Sequence, residues 1–89
     1  MKYVFTKHAK ERMVLRRINR KGVINTIKKN EQKALDDETE NKVAFYKKWT
    51  EKFALKVVTI KNEFEIRIIT VHPVSLGRLK NIKNLIEIK

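Results

Sequence analysis

The spacing of apolar residues changes once along this chain. Up to about residue 30 they recur three or four positions apart, and from Lys42 onward they fall on every second position. The first spacing predicts helices with one buried stripe, the second strands with one buried face. Val4 and Phe5 form a short extended entry, and Thr6 offers a side-chain oxygen to the free amides of a helix over residues 7–18. Ala9 with Met13, and Val14 with Ile18, give that helix two adjacent apolar tracks. Asn19 breaks it and caps a second helix, in which Val23, Ile24 and Ile27 share a face before polar residues take over near Asn30.

Residues 31–41 carry no large apolar period beyond Leu35 and read as a helix tail running into a loop. In the second half, Val43 and Phe45 oppose Ala44 and Tyr46. After a turn at Trp49-Thr50-Glu51, Phe53, Leu55 and Val57 alternate with Ala54, Lys56 and Val58. A tight turn at Asn62-Glu63 leads into a third strand, Phe64 to His72. Strict alternation puts Phe64, Ile66, Ile68, Thr70 and His72 on one face of it and Glu65, Arg67, Ile69 and Val71 on the other. Pro73 is expected to stop the pairing. Beyond it, Leu76, Leu79, Ile82 and Ile86 suit a terminal helix while Leu85-Ile86-Glu87-Ile88 suit a last strand, so residues 75–89 stay open. The fold class is α+β, with two amino-terminal helices packed on one face of a three- to four-stranded antiparallel sheet.

Composition narrows the class. Eighty-nine residues make one domain, 1–89, and 42% hydrophobic residues spread along the chain are enough for a core. The absence of cysteine removes disulfides, thiolate zinc sites and a cysteine nucleophile. No apolar run has the length of a signal sequence or a membrane span, which together with the missing cysteines points to the cytoplasm.

The formal net charge is +12, from 22 Lys and Arg against 10 Asp and Glu. It is uneven: residues 1–30 hold ten bases and the single acid Glu11, while residues 31–40 hold five acids and one lysine. A concentrated positive field gathers polyanions and releases their counterions on binding, so nucleic acid is the expected partner. The acidic run reads as solvated charge, since its carboxylates lack metal-ligand spacing. No metal or other cofactor is expected, and with Gly22 and Gly77 the only glycines there is no phosphate-cradling loop.

Two histidines fall where a site can form. His8 opens the first helix with Arg12 four residues on, on the same face, so the two can grip one phosphate. His72 ends the third strand. Metal-independent RNA cleavage needs a base for the 2′-hydroxyl proton, an acid for the leaving 5′-oxygen and positive groups around the phosphorane. His8 and His72, in either order, and Arg12 supply that set; hydrogen-bonded structural histidines are the plainer reading of the same positions. Arg20 and Lys21 stand in the first turn of the second helix, where the macrodipole disfavours cations, and so become candidate phosphate contacts. Lys7, Arg16 and Lys48 join them in steering RNA. Trp49, with Tyr46 and Phe53 among Lys47, Lys48 and Lys52, either stacks unpaired bases or covers the core, the latter favoured for Phe53.

The stretch Phe5-Thr6-Lys7-His8-Ala9-Lys10-Glu11-Arg12-Met13-Val14-Leu15-Arg16-Arg17-Ile18 resembles the signature of a family of small uncharacterised domains. Their mark is an amino-terminal helix carrying His-Ala-x-x-Arg-Met, and they are grouped with the barnase-like, colicin-like and RelE-like toxin nucleases. Two helices followed by a meander ending in Ile68-Ile69-Thr70-Val71 are similar to that family as well. The resemblance implies a metal-independent ribonuclease fold, often a toxin with an acidic antitoxin partner. It brings His8, Arg12 and Thr70 forward as catalytic residues. The chain departs from the pattern at Arg17, where glycine is common, at Arg20 and Lys21, where acids are frequent, and at His72, where an aromatic often stands. Sequence alone therefore leads to a toxin-type endoribonuclease. A non-catalytic nucleic-acid-binding module and an interaction protein for an acidic partner stand beside it.

Overall fold

Thr6 starts the first helix, as its position predicts. In the computed structural model, which describes residues 2–35, 41–79 and 85–87, its hydroxyl accepts from the Ala9 amide at 3.1 Å and donates to the Ile69 carbonyl at 3.0 Å. One side chain thus caps α1 (Lys7–Arg16) and ties it to a strand more than sixty residues away. The helix ends two residues before the predicted Ile18. Arg17 takes a left-handed conformation, φ 55°, its amide donating to the Val14 carbonyl at 3.2 Å and the Ile18 amide to that of Met13 at 2.8 Å. This closing pattern turns the chain back and packs Ile18 and Met13 into the same core. Asn19 then caps α2 (Arg20–Lys28) as expected, its side-chain oxygen accepting from the Gly22 amide at 2.7 Å, and Val23, Thr26 and Ile27 are buried.

The sheet is larger than the sequence predicted, and it is mixed. β1 (Lys2–Phe5), β2 (Gln32–Leu35), β3 (Lys42–Lys48), β4 (Phe53–Lys61) and β5 (Glu65–Ser75) are joined at one edge by a three-residue strand, β6 (Leu85–Glu87). The order across the sheet is β1-β5-β4-β3-β2-β6, antiparallel throughout except that β1 lies parallel to β5. Of the stretch read as a helix tail, residues 32–35 are strand. Pairing with β3 makes it so, and Glu31 fastens the join by donating its amide to the Tyr46 carbonyl and accepting from the Lys48 amide at 2.8 Å. Residues 36–40 lie outside the described residues.

Pro73 does not end β5, which runs on to Ser75 with Pro73 opposite Leu55. β1 reaches only as far as Ile68, so at Pro73 the strand has a neighbour on one side and the missing N–H breaks no ladder. The predicted turns hold: the Trp49 amide donates to the Phe53 carbonyl, and the Asn62 side chain accepts from the Phe64 and Glu65 amides at 2.8 and 2.9 Å. Past Ser75, Leu76–Leu79 form one helical turn, α3, and Leu85–Glu87 a strand, so each open reading applies to part of the tail; Ile82 lies outside the described residues.

Both long helices pack on one face of the sheet. Ala9, Ile18, Val23 and Ile27 meet Leu55, Val57, Ile68 and Val71 there, with Phe5, Met13 and Phe45 at the margin. Each of the larger aliphatic side chains there, fully buried, contributes about 1.5–3 kcal/mol. The register of β4 against β5 shifts between Val58 and Thr59: Val58 pairs with Thr70, Thr59 with Ile68, and Ile69 is the extra residue. This bulge breaks the predicted alternation. Ile68 and Val71 both face the helices, so Thr70 and His72 turn to the opposite face and no longer share one with Ile66 and Ile68. Among the described residues no helix is long and apolar enough to cross a membrane.

Candidate nucleic-acid interface

Ala9 and Met13 anchor α1 to the core and so fix the direction of the rest of its surface. His8, Arg12 and Arg16, each four residues after the last, form one exposed row on a flank of that buried stripe. The helix starts beside Ile69, where Thr6 is tied, and packs chiefly on β5 past the point where β1 stops. The row therefore runs beside the half of β5 that carries Thr70 and His72.

On the second face of the sheet, cross-strand register lines up Tyr46, Lys56 and His72 on β3, β4 and β5. Tyr46 is buried, and its burial pushes the phenol pKa up. The Lys56 ammonium sits over the Tyr46 ring, 5.8 Å from its centre. Partial burial pulls the Lys56 pKa down, and the charge of Lys42 pulls it further. Thr70, half-buried, stands two residues before His72 on the same face.

His72 is the centre of the arrangement. Burial lowers its pKa from the ordinary imidazole value of 6.5, and the charges of Lys56, Arg12, Arg16 and His8 lower it further, in that order. Every charged group that shifts this imidazole is basic. A half-buried histidine ringed by cations is held neutral near physiological pH, where it can accept a proton. Such a ring also repels itself, and a bound phosphate would relieve the repulsion.

The structure thus brings together His8, Arg12, Arg16, Thr70 and His72 from the sequence candidates, places Tyr46, expected beside Trp49, in the same row as His72, and adds Lys56, which sequence reasoning missed. One signal was legible: Lys56 is the charged residue inside the otherwise apolar run Phe53-Ala54-Leu55-Lys56-Val57-Val58. The remaining candidates are placed apart from His72 to differing degrees. Lys48, exposed, lies on the same face as Tyr46 but one row further along, opposite Ala54. Trp49, 43% exposed, follows it in the hairpin turn, and Phe53, expected in the core, is 41% exposed at the start of β4. Lys7 is exposed at the start of α1. Arg20 is engaged elsewhere, its guanidinium stacked over the Phe5 ring at 5.0 Å, and Lys21 borders a shallow groove on α2 with Ile24 and Lys28. Among the described residues no three His, Cys, Asp or Glu side chains group as metal ligands would.

Residues 5–73 match a domain family of unknown function, DUF4258. This chain belongs to that family. The DUF4258 match opens at Phe5 and closes at Pro73, so it takes in the whole α1 row, Tyr46, Lys56, Thr70 and His72. Comparison with curated proteins found no match, and comparison with solved structures found none.

Proposed function

We propose that this DUF4258 domain is a metal-independent endoribonuclease whose site is formed by the exposed row of α1 and the Lys56–His72 pair of the sheet. The observation that carries the reading is a half-buried imidazole on which only basic side chains act. A neutral, desolvated imidazole among fixed cations suits removal of a proton from an alcohol next to a phosphodiester. The RelE-like and barnase-like placement of the fold belongs to the same proposal, supported by two helices on one sheet face and a polar row on the other. So does a cytoplasmic setting.

In this scheme Arg12, Arg16 and Lys56 hold the scissile phosphate. His72 accepts the proton of the adjacent 2′-hydroxyl as that oxygen attacks phosphorus. The P–O5′ bond breaks, His8 gives a proton to the departing 5′-oxygen, and the products are a 2′,3′-cyclic phosphate and a 5′-hydroxyl end. Thr70 contributes a hydroxyl to the phosphate, and the cations stabilise the charge of the phosphorane. Lys7, Lys48 and Trp49 line the approach of the flanking chain. DNA lacks the attacking hydroxyl and is bound without being cut.

The test is cleavage of a single-stranded RNA in EDTA, with the ends analysed by mass. Cyclic-phosphate products lost in His72→Ala and in His8→Ala, each folded by circular dichroism, support the reading. An unchanged rate in His72→Ala would sink it. Salt-sensitive RNA binding with no cleavage would leave a nucleic-acid-binding module, for which the same basic row is sufficient.

A further inference from the structure

The flank of α1 opposite the His8 row borders a second feature of different character. A groove of about 490 Å³ opens between α1, β1 and the turn into α2, walled by Phe5, Met13, Val14 and Ile18. Val14 is 80% exposed there, an aliphatic side chain left uncovered on the helix. Lys10, Arg17 and Arg20 stand around the same groove, and no acidic residue is among its lining. The two flanks of α1 lie on either side of the buried Ala9–Met13 stripe, so the groove and the His8-Arg12-Arg16 row beside His72 are separate surfaces.

Arg17 adds an independent observation. It occupies the left-handed position that closes the helix, φ 55°, where glycine would avoid a steric penalty of about 1 kcal/mol. The charge suits the carboxyl end of the helix, and it also stands at the edge of the apolar groove.

We propose that this groove docks an acidic amphipathic segment of another protein, its apolar side chains against Met13 and Val14 and its carboxylates on Lys10, Arg17 and Arg20. Charge complementarity selects this occupant. A second copy of the chain, carrying +12, is repelled. RNA gains little here, because apolar aliphatic walls give bases no stacking partner and the Phe5 face is already covered by Arg20. The groove is open along the helix, which suits a peptide segment better than an enclosed small molecule. The inference does not rest on the ribonuclease reading.

The probe is a labelled synthetic helix of about sixteen residues with leucines at helical i, i+4 and i+7 spacing and glutamates beside them. Two controls accompany it, one with lysine for glutamate and one with serine for leucine. Fluorescence anisotropy on the full chain should show micromolar binding of the first peptide, on the order of 10 μM, and none of the controls at that level. Val14→Asp should weaken binding about tenfold or more. Arg17→Gly should weaken it about fivefold while raising the melting temperature, because the left-handed strain is relieved. That pair of opposite changes separates a docking role for Arg17 from a structural one. Arg12→Ala should leave the peptide affinity unchanged. Failure of the acidic peptide to bind, equal binding of the serine control, or an Arg12→Ala loss as large as that of Arg17→Gly would each overturn the proposal. So would anionic vesicles of phosphatidylserine that bind with the same dependence on Val14 and Arg17, since these would make the groove a lipid site. Val14→Asp and Arg17→Gly leave the residues assigned to RNA untouched, so cleavage should persist in both and the two proposals fail separately.

Discussion

The two faces of β4 and β5 divide the work of this domain. Toward the helices, Leu55, Val57, Ile68 and Val71 are all at 1% exposure or less, an unbroken apolar layer. On the other side Tyr46, Ala54 and Val58 are also buried, yet the layer is interrupted by Lys56, Thr70 and His72, all half-buried. A single strand segment, Ile68 to His72, serves both. What separates its apolar residues from its polar ones is the extra residue at Ile69, which allows Ile68 and Val71 to face the helices while Thr70 and His72 face away. The difference teaches that an apolar layer and a polar, cationic row are allotted here by one backbone irregularity. The cations that act on His72, Lys56 beside it on the sheet and Arg12 and Arg16 on α1, are repulsive partners that a stability-driven arrangement would not choose.

The strongest way to break this division is to insert one alanine between Val58 and Thr59, which gives Ile69 a partner. Strict alternation along β5 then prevents Ile68 and Val71 from facing the helices together, so loss of cooperative unfolding is expected by circular dichroism. Ile69→Ala keeps the bulge and should leave the fold intact. Next in size, His72→Ala should slow RNA cleavage about a hundredfold or more while unfolding in urea at neutral pH stays close to that of the parent protein. A parallel loss of stability would mean that the second face is structural after all.

Lys56→Met sharpens the comparison further. It should lower RNA affinity about tenfold and shallow the log-affinity against log-salt slope by about one. The same variant removes the largest charge acting on His72, so the imidazole pKa should move up toward 6.5 in an NMR titration. An unmoved titration would separate Lys56 from the site.

The smallest effect is in the pH dependence of stability. Folded His72 has its pKa below the 6.5 expected of the unfolded chain, so in the interval between the two values the unfolded state binds more protons. Stability from this residue is complete above 6.5 and declines as pH falls through the folded value. His72→Gln should flatten that decline, read as urea midpoints across pH 5 to 7. Added polyanion should shift it the same way, because bound phosphate favours the imidazolium.

Much of this molecule was legible in its residues. Thr6 and Asn19 marked both helix starts because a short oxygen-bearing side chain is chemically suited to free amides, wherever the rest of the chain goes. His8, Arg12 and Arg16 followed from the helical repeat alone. Other features depended on partners distant in sequence. Residues 32–35 have no strong strand pattern and become a strand because β3 pairs with them; β1 joins the sheet only through β5; Pro73 is tolerated because β1 stops at Ile68. Lys56 escaped notice because nothing local says that its neighbours across the sheet are a tyrosine and a histidine.

By itself the sequence determined both helix starts, the end of the first helix to within two residues, the hairpin turns and the basic excess of the amino-terminal third, all properties of short stretches set by capping, period and composition. Tertiary structure alone decided which face His72 occupies, which cations act on it, and that Arg20 stacks on Phe5 while Arg12 bears on the imidazole. Those outcomes turn on cross-strand register and one inserted residue. Register is settled by pairing over the whole sheet, and a shift of a single position reverses every side chain beyond it.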